Sequence, residues 1–268
     1  MALRPSRRRL AQFLGQTAML TVLAVAATGC AGLRPDTTGS VASSAPVTAN
    51  DWRRTSDELA ARYRANPRDP EIALQYAQAL RMLDQRTQAV AVLEQASLAS
   101  PNDMAILGAY GRALADVGQL KQAFDVLERA HTPDQPDWRI LSAQGAVLDQ
   151  MGRHEEAQRY YSSALKIVPN EPSVLSNLGL SYALSKNLPL AETTLRRAAA
   201  AESRDPRVRQ NLALVVGLQG RFPEAETIAR ADLPPDEAAA NVAYLKQMLS
   251  EHKAGKKVGG AKSPATGT

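Results

Sequence analysis

The sequence predicts an all-α protein made of repeated helix pairs, and three observations support that fold class. Alanine returns at an interval of 34 residues through most of the chain, at Ala89, Ala123, Ala157, Ala191 and Ala225. Glycines fall between the predicted helices of three pairs, at Gly118, Gly152 and Gly220. The chain of 268 residues is 44% hydrophobic, which is enough for a sizeable core.

The chain begins with the three-part pattern of a secretory signal. Four arginines, at positions 4, 7, 8 and 9, precede the apolar run 17–27, and small residues follow that run. The run fits the core of a signal peptide and is shorter than the ~20 residues needed to span a bilayer. We therefore predict a signal peptide over 1–29 rather than a transmembrane helix.

Cys30 is the only cysteine in the chain and follows Ala27, Thr28 and Gly29. This segment resembles the lipobox of bacterial lipoproteins, in which the cysteine becomes the first mature residue and carries a diacylglycerol. That family most often has Leu where this chain has Ala27. The resemblance implies lipidation at Cys30 and, because Ala31 rather than Asp follows it, anchoring in the outer membrane facing the periplasm. The alternative is an ordinary secretory signal that leaves Cys30 as a free thiol.

The segment 30–50 is rich in Ser, Thr, Ala, Pro and Gly and has neither helical nor strand periodicity. Such a composition is typical of a flexible linker. A linker of this kind would hold the folded part roughly 25 Å from the lipid. We predict that it tethers the folded part, 51–252, to the lipidated cysteine.

The folded part consists of five units of 34 residues, at 70–103, 104–137, 138–171, 172–205 and 206–239. Within a unit, small residues such as Gly111 and Ala123 let two antiparallel helices approach closely, while Leu114 and Leu127 fill the volume beside them. The pattern resembles the tetratricopeptide repeat, which has small residues at fixed positions of both helices. The resemblance implies a right-handed superhelical solenoid in which each unit depends on its neighbours.

Capping helices are expected at both ends of the solenoid. Residues 51–66 predict an N-terminal helix with Asp51 or Ser56 as its N-cap. Residues 236–252 predict a C-terminal helix. Its predicted buried stripe consists of Val242, Leu245 and Leu249. The basic tail 253–268 is predicted to be disordered.

The formal net charge of +5 comes from the ends of the chain. Residues 1–29 and 253–268 each carry four basic residues and no acidic one, which leaves 24 basic and 27 acidic residues between positions 30 and 252. A domain that binds nucleic acid needs an excess of basic residues on its folded surface. We therefore expect no nucleic-acid partner.

Motifs for catalysis or metal binding are not found in the sequence. His154 and Glu155 begin like a metalloprotease helix, but Gln158 occupies the position of the second zinc ligand. His131 and His154 are instead interpreted as exposed residues at helix ends. Because no nucleophile, base and oxyanion donors converge, we predict a protein that is not an enzyme and has no cofactor. An enzyme with a helical accessory domain would need a further domain, for which the remaining segments are too short.

The candidate for function is therefore a surface. In tetratricopeptide arrays the first helix of each unit lines a concave groove that binds proteins or peptides. Mapped onto this sequence, the resemblance implies a partner groove that includes Arg81, Arg112, Arg139, Asn177, Arg207, Gln210 and Asn211. The two asparagines hold the same position in consecutive units and resemble the asparagine ladder with which some such proteins hold a peptide backbone. The alternative is that asparagine simply tolerates an exposed helix face.

Residues 171–249 point to one branch of the repeat family. The segments EPSVLSNLGLSYALSKNLPLAETTLRRAAA and RVRQNLALVVGLQGRFPEAETIARADLPPDEAAANVAYLKQML resemble the C-terminal half of the TadD family, the lipoproteins of the tight-adherence (Flp pilus) assembly system. The resemblance implies a pilotin-like scaffold that helps an outer-membrane secretin to assemble. A scaffold for cell-envelope or outer-membrane biogenesis unrelated to pili would share every repeat feature and remains the alternative.

Overall fold

The computed structural model describes residues 48–201 and 205–260, with side chains as far as Glu251. The chain divides into two units, Met1–Pro46 and Val47–Thr268. The first unit contains the predicted signal peptide, Cys30 and most of the linker, and it lies outside the described residues. The fold reported below is that of the second unit.

The described part of the second unit is built from twelve α-helices and contains no β-strand, only an isolated bridge between Thr132 and Gln135. This agrees with the predicted all-α solenoid. The helices are α1 (Ala49–Ala65), α2 (Pro70–Met82), α3 (Arg86–Ala99), α4 (Met104–Asp116), α5 (Leu120–Glu128), α6 (Trp138–Gln150), α7 (His154–Ile167), α8 (Pro172–Leu184), α9 (Leu188–Ala200), α10 (Pro206–Leu218), α11 (Phe222–Ala229) and α12 (Pro235–Gly260).

The first helix of every pair starts at the same place in the 34-residue period, because an acidic side chain caps it. Each of these side chains accepts a hydrogen bond from a backbone N–H in the first turn, and each such cap contributes about 1 kcal/mol. The five caps are Asp69, Asp103, Asp137, Glu171 and Asp205.

The turn between the two helices of each pair contains one residue with positive φ. Gly118, Gly152 and Gly220 take φ values of 79°, 76° and 84°, so the predicted position of these glycines is confirmed. In the other two pairs Asp84 and Lys186 take φ values of 60° and 66° at that place. The turn thus keeps its left-handed conformation even where a residue with a side chain occupies it, which strains the backbone at Asp84 and Lys186.

The core lies where the helices of a pair cross. The alanines that recur every 34 residues, Ala89, Ala123, Ala157, Ala191 and Ala225, are all 0% exposed. Opposite them, Gly111 comes so close to α5 that a Cβ atom on it would lie 2.5 Å from Cγ of Leu127. Larger side chains at either position would force the pair apart.

Stacking of the pairs places the first helices on the inner side of the array. Consecutive first helices contact one another, as α4 contacts α6 and α8 contacts α10, whereas no two second helices do so among the described elements. The second helices α3, α5, α7, α9 and α11 therefore form the outer side. The inner face of the first helices is left as a continuous concave surface.

The N-terminal cap differs from the prediction in its first residue. Helix α1 starts at Ala49, and its N-cap is Thr48 rather than Asp51 or Ser56. The hydroxyl of Thr48 accepts from the backbone N–H of Asp51 at 3.3 Å, while the carboxylate of Asp51 accepts from the N–H of Thr48 at 2.9 Å. This reciprocal pair is a capping box, and it assigns Asp51 to the first turn.

The C-terminal cap is longer than predicted. Helix α12 ends at Gly260 instead of near His252, so the first part of the tail that was predicted to be disordered is helical. The extension contains three lysines, which are good helix formers, and three glycines, which are poor ones, so residue propensity alone does not account for it. The predicted stripe of Val242, Leu245 and Leu249 is half-buried, because the last helix of an array packs against a neighbour on one side only.

An ion-pair network joins the fourth and fifth repeats around Glu192 on α9. Its carboxylate accepts from Arg196 at 2.6 Å, from Arg221 at 2.7 Å and from Gln219 at 2.8 Å. Burial alone would raise the pKa of Glu192, but these hydrogen bonds outweigh it and lower the pKa from 4.5 to about 2. The ionised carboxylate therefore stabilises the contact between the two repeats.

In the described residues, none of the helices is both long enough and apolar enough to cross a membrane.

The close approach at Gly111 can be tested with Gly111→Ala. We expect a loss of about 1–3 kcal/mol in the free energy of unfolding, because the added methyl group overlaps Leu127 and outweighs the gain in helix propensity. Urea denaturation followed by circular dichroism measures this. Lys121→Ala, at an exposed position of the same repeat, is the control and should change stability by less than about 0.5 kcal/mol. A Gly111→Ala protein as stable as the control would contradict the packing argument.

The Glu192 network predicts a pH-dependent stability. At neutral pH Glu192→Gln should cost about 1–2 kcal/mol, because Arg221 and Arg196 each lose one of two charged partners and keep only Glu224. Since the pKa of Glu192 is lower in the folded chain, its contribution is complete above about pH 5 and disappears as the pH falls from 4.5 towards 2. Thermal unfolding of both proteins across this range measures the difference. Glu94→Gln, at an exposed position of α3, is the control, and a difference in Tm that is constant with pH would refute the assignment.

Candidate functional site

The concave surface of the first helices contains a groove of about 560 Å³, which we call the central groove. It crosses α2, α4, α6, α8 and the start of α10. Both basic and small apolar side chains line it. Its lining residues are Arg81, Arg112, Ala115, Asp116, Leu127, Trp138, Arg139, Ser142, Ala143, Ala146, Val147, Gln150, Ser173, Asn177 and Arg207.

Most of the side chains that the sequence assigns to a partner groove lie in this one groove. They are Arg81, Arg112, Arg139, Asn177 and Arg207. The other two, Gln210 and Asn211, lie on α10 and do not line it. The groove brings together side chains from different repeats because the first helices stack with matching register.

Three of the four arginines in the central groove are held in place by neighbours. The Nε atom of Arg81 donates to Asp116 at 2.6 Å. The guanidinium of Arg139 stacks over the ring of Trp138, with its carbon 4.5 Å from the ring centre. Arg207, although 81% exposed, pairs with the helix cap Asp205 at 2.6 Å. These contacts orient the cationic groups before any ligand is present.

Arg112 differs from the other three arginines. It is half-buried, and within the described part of the chain no carboxylate forms an ion pair with it. Burial, and after it the positive charge of Arg81, lowers the pKa of Arg112. Its guanidinium remains protonated, since arginine does not lose its proton in proteins. The groove therefore contains one partly desolvated cation without an ion-pair partner of its own.

A second concavity of about 470 Å³, which we call the side pocket, adjoins the central groove at Arg112 and Arg139. It is closed on one side by the loop before α6. Within it, Nε2 of His131 lies 3.2 Å from the side-chain oxygen of Gln144, and the buried Nδ1 has no hydrogen-bond partner among the described residues. The other lining residues are Leu74, Met104, Ala105, Gly108, Ala130, Gln135, Asp137 and Ile140.

The two asparagines of the predicted ladder have structural partners. The side-chain amide of Asn177 donates to the hydroxyl of Ser142 at 3.4 Å, and that of Asn211 donates to Ser176 at 2.9 Å. Each bond joins the first helices of two consecutive repeats. Each amide has a second N–H and an oxygen that a ligand could use. The asparagines are therefore more than tolerated surface residues, because they also tie the repeats together.

Both histidines lie at helix ends as predicted, since His131 follows α5 and His154 begins α7, but neither side chain is exposed. His131 is half-buried against Gln144, as described above, and His154 belongs to a polar cluster between α6, α7 and α8. Asp149 in that cluster accepts from Tyr161 at 3.0 Å and from Ser181 at 2.8 Å, and it lies 2.9 Å from Nδ1 of His154. Burial raises the pKa of Tyr161, which stays protonated and donates to Asp149. The cluster fixes three helices next to the central groove.

Sequence reasoning missed several residues of the central groove. Trp138 and Ser142 line it, yet neither was assigned to the predicted surface. The sequence does mark Trp138 as unusual. It is the first residue of the first helix in its repeat, and three other repeats have a proline at that position, namely Pro70, Pro172 and Pro206. The partner of Ser142, by contrast, lies 35 residues away in the next repeat, and the sequence alone does not show that contact.

Among the described residues, no group of three or more His, Cys, Asp or Glu side chains is arranged to hold a metal ion.

Comparison with known proteins identifies the repeats. Two family profiles described as tetratricopeptide repeat match the chain, at residues 150–215 and 206–231. No curated protein matches the sequence. Neither the profiles nor the structural comparison indicates an enzymatic family.

Several solved structures share the fold. PilW, described as a widely conserved type IV pilus biogenesis factor, has a TM-score of 0.64 at 18% identity, covering 72% of this chain and 91% of PilW. TTC0263, a tetratricopeptide-repeat protein of Thermus thermophilus, has a TM-score of 0.59 at 22% identity, covering 67% of this chain and 100% of its own. PilF of Pseudomonas aeruginosa has a TM-score of 0.52 at 16% identity, covering 68% of this chain and 81% of PilF.

These matches, together with the helix pairs and the 34-residue period, define the class of protein. The chain contains tetratricopeptide repeats, and its second unit has the fold of a tetratricopeptide-repeat superhelix. At these identities the similar structures establish the fold alone.

The Asn–Ser bonds between repeats can be tested with Ser176→Ala. We expect a loss of about 0.5–1.5 kcal/mol in the free energy of unfolding, because the amide of Asn211 loses its acceptor. Chemical denaturation measures the change, and Ser163→Ala on the outer helix α7 is the control.

If the asparagines also hold a ligand, the double variant Asn177→Ala with Asn211→Ala weakens partner binding by more than about 1 kcal/mol, while Ser176→Ala lowers stability only. Unchanged stability in Ser176→Ala would show that the bond contributes nothing.

Proposed function

We propose that this protein is a membrane-anchored, non-enzymatic scaffold that binds a segment of a protein partner in the central groove. The groove itself carries the proposal. It runs across several first helices, presents oriented cationic and amide groups, and has small apolar side chains between them. An extended peptide needs this combination of backbone partners and shallow apolar contacts.

The membrane anchor of the proposal is the lipid on Cys30. The support is in the sequence, where the only cysteine falls at the lipidation position behind a signal-like segment. Each buried methylene group contributes about 0.8 kcal/mol, so two or three acyl chains hold a protein on a membrane. The proposed location is the outer membrane, with the groove facing the periplasm.

The proposed process is assembly of the Flp/Tad pilus apparatus, with its outer-membrane secretin as the partner. The support is the resemblance of residues 171–249 to the TadD family. PilW, one of the structurally similar proteins, is described as a pilus biogenesis factor. A scaffold for envelope biogenesis unrelated to pili would use the same groove and anchor, so the experiment below must separate the two processes.

The anchor is tested by comparing the full chain with Cys30→Ser in cells fed a clickable palmitate analogue. We expect acyl label and membrane fractionation for the native sequence and neither for Cys30→Ser. The variant should remain folded, since Cys30 lies outside the repeats. Label that persists in Cys30→Ser would refute lipidation.

The pilus role is tested by affinity purification of the anchored protein from cells that assemble the pilus. The expected result is recovery of the secretin or another pilus component, as detected by mass spectrometry. Recovery of envelope-biogenesis proteins without any pilus component would favour the alternative scaffold. The matched control is Arg159→Gln on the outer helix α7, which should retain the same partners.

A further inference from the structure

We infer that the partner segment is acidic and that one of its carboxylates binds the guanidinium of Arg112, with Arg139 beside it. The inference rests on the proposed use of the central groove for a partner segment, and it specifies the chemistry of that segment.

The position of Arg112 is the first argument. It lines both the central groove and the side pocket, and Arg139 is the other cation shared by the two concavities. A ligand that crosses from one concavity to the other must pass these two guanidinium groups. Planar guanidinium groups match the geometry of a carboxylate better than that of most other ligand groups.

The second argument is that nearby acidic side chains already have other partners. Asp116 accepts from Arg81 at 2.6 Å. Asp137 caps α6, where it accepts from the backbone N–H of Arg139 at 2.7 Å. Neither carboxylate forms an ion pair with Arg112 among the described contacts. The charges that act on Arg112 are therefore mixed: Arg81 and Arg139 disfavour its positive charge, while Asp137 and Asp116 favour it without forming an ion pair with it.

The third argument is energetic. A partly buried guanidinium has lost part of its hydration, and among the described residues no carboxylate forms an ion pair with Arg112 that replaces it. Burial lowers the pKa of Arg112, which agrees with this description. A carboxylate from a ligand would supply the missing partner in a site with restricted water access, where such a hydrogen bond is strong.

The chemistry of the surroundings favours a peptide over a polyanion such as nucleic acid. Between the arginines the groove is lined by Ala143, Ala146 and Val147, which suit side chains of a peptide. The chain between positions 30 and 252 has more acidic than basic residues, so it gives no long-range attraction for nucleic acid.

Stability measurements distinguish a ligand-binding arginine from a structural one. Arg112→Met keeps most of the apolar stem and removes a cation without an ion-pair partner. We expect its Tm to equal or exceed that of the native protein, because groups kept for binding are often placed at a cost in stability. Arg81→Met, which leaves Asp116 without its partner, should lower the Tm. A Tm that falls as far in Arg112→Met as in Arg81→Met would overturn the inference.

Binding is measured with the purified full chain and a short fluorescein-labelled peptide in which Glu alternates with Ala. The comparison peptides have Gln or Lys in place of Glu, and the fourth probe is a single-stranded oligonucleotide. We expect anisotropy to show binding of the Glu peptide at least about tenfold tighter than the Gln peptide, weakening from low to high salt. Arg112→Gln and Arg139→Gln should each weaken it about tenfold, and Arg112→Lys should weaken it less.

Arg159→Gln is the matched control, because it removes the same charge from the outer face. If it weakens binding as much as Arg112→Gln, the attraction is nonspecific and the inference is wrong. Equal binding of the Glu and Gln peptides, or preference for the oligonucleotide, would also overturn it.

The inference and the proposed function fail separately. If a pilus component is recovered equally well by Arg112→Gln and by the native protein, the acidic anchor is wrong and the pilus role stands. If the Glu peptide binds through Arg112 but no pilus component is recovered, the pilus role is wrong and the acidic anchor stands.

Discussion

The structure depends on how closely the two helices of each pair approach each other. The recurring alanines of the second helices are fully buried, and Gly111 and Gly145 leave room for Leu127 and Tyr161 on the opposite helix. This contact sets the interaxial distance and the crossing angle of the two helices, and the same values recur in the next pair. Because the geometry repeats, small errors would accumulate along the array. The strict 34-residue spacing of the smallest residues prevents that.

The same geometry determines where charge is available. Acidic side chains cap all five first helices, and others pair with arginines between repeats, as Glu192 does with Arg221 and Asp116 with Arg81. Much of the acidic content is thus committed to holding the fold. The inner face of the first helices therefore presents arginines in excess, although the chain between its ends has slightly more acidic than basic residues.

Features that depend on nearby residues of the same repeat were predictable from the sequence. Buried alanines, glycine turns and helix starts follow from the period, and five of the seven predicted side chains lie in the central groove. Contacts between repeats were not predictable in this way. The bonds of Asn177 to Ser142 and of Asp149 to Ser181 join residues more than thirty positions apart, so only the stacking of the helices reveals them. The extension of α12 to Gly260 was not predictable from the sequence, because three of the eight residues between positions 253 and 260 are glycines, which disfavour a helix.

The central groove combines fixed groups with one that lacks an ion-pair partner. Arg81 is held by Asp116, Arg139 by the ring of Trp138, and the polar cluster around Asp149 joins α6, which carries Arg139, to α7 and α8. These side chains are already ordered in the folded chain, so binding costs little further side-chain entropy. What a partner adds is mainly the ordering of its own segment and the counter-charge for Arg112. A rigid array with one such cation selects partners by the position of the carboxylate along their segment. The neighbouring groups are fixed by the fold, so they do not move to pair with a carboxylate at another position.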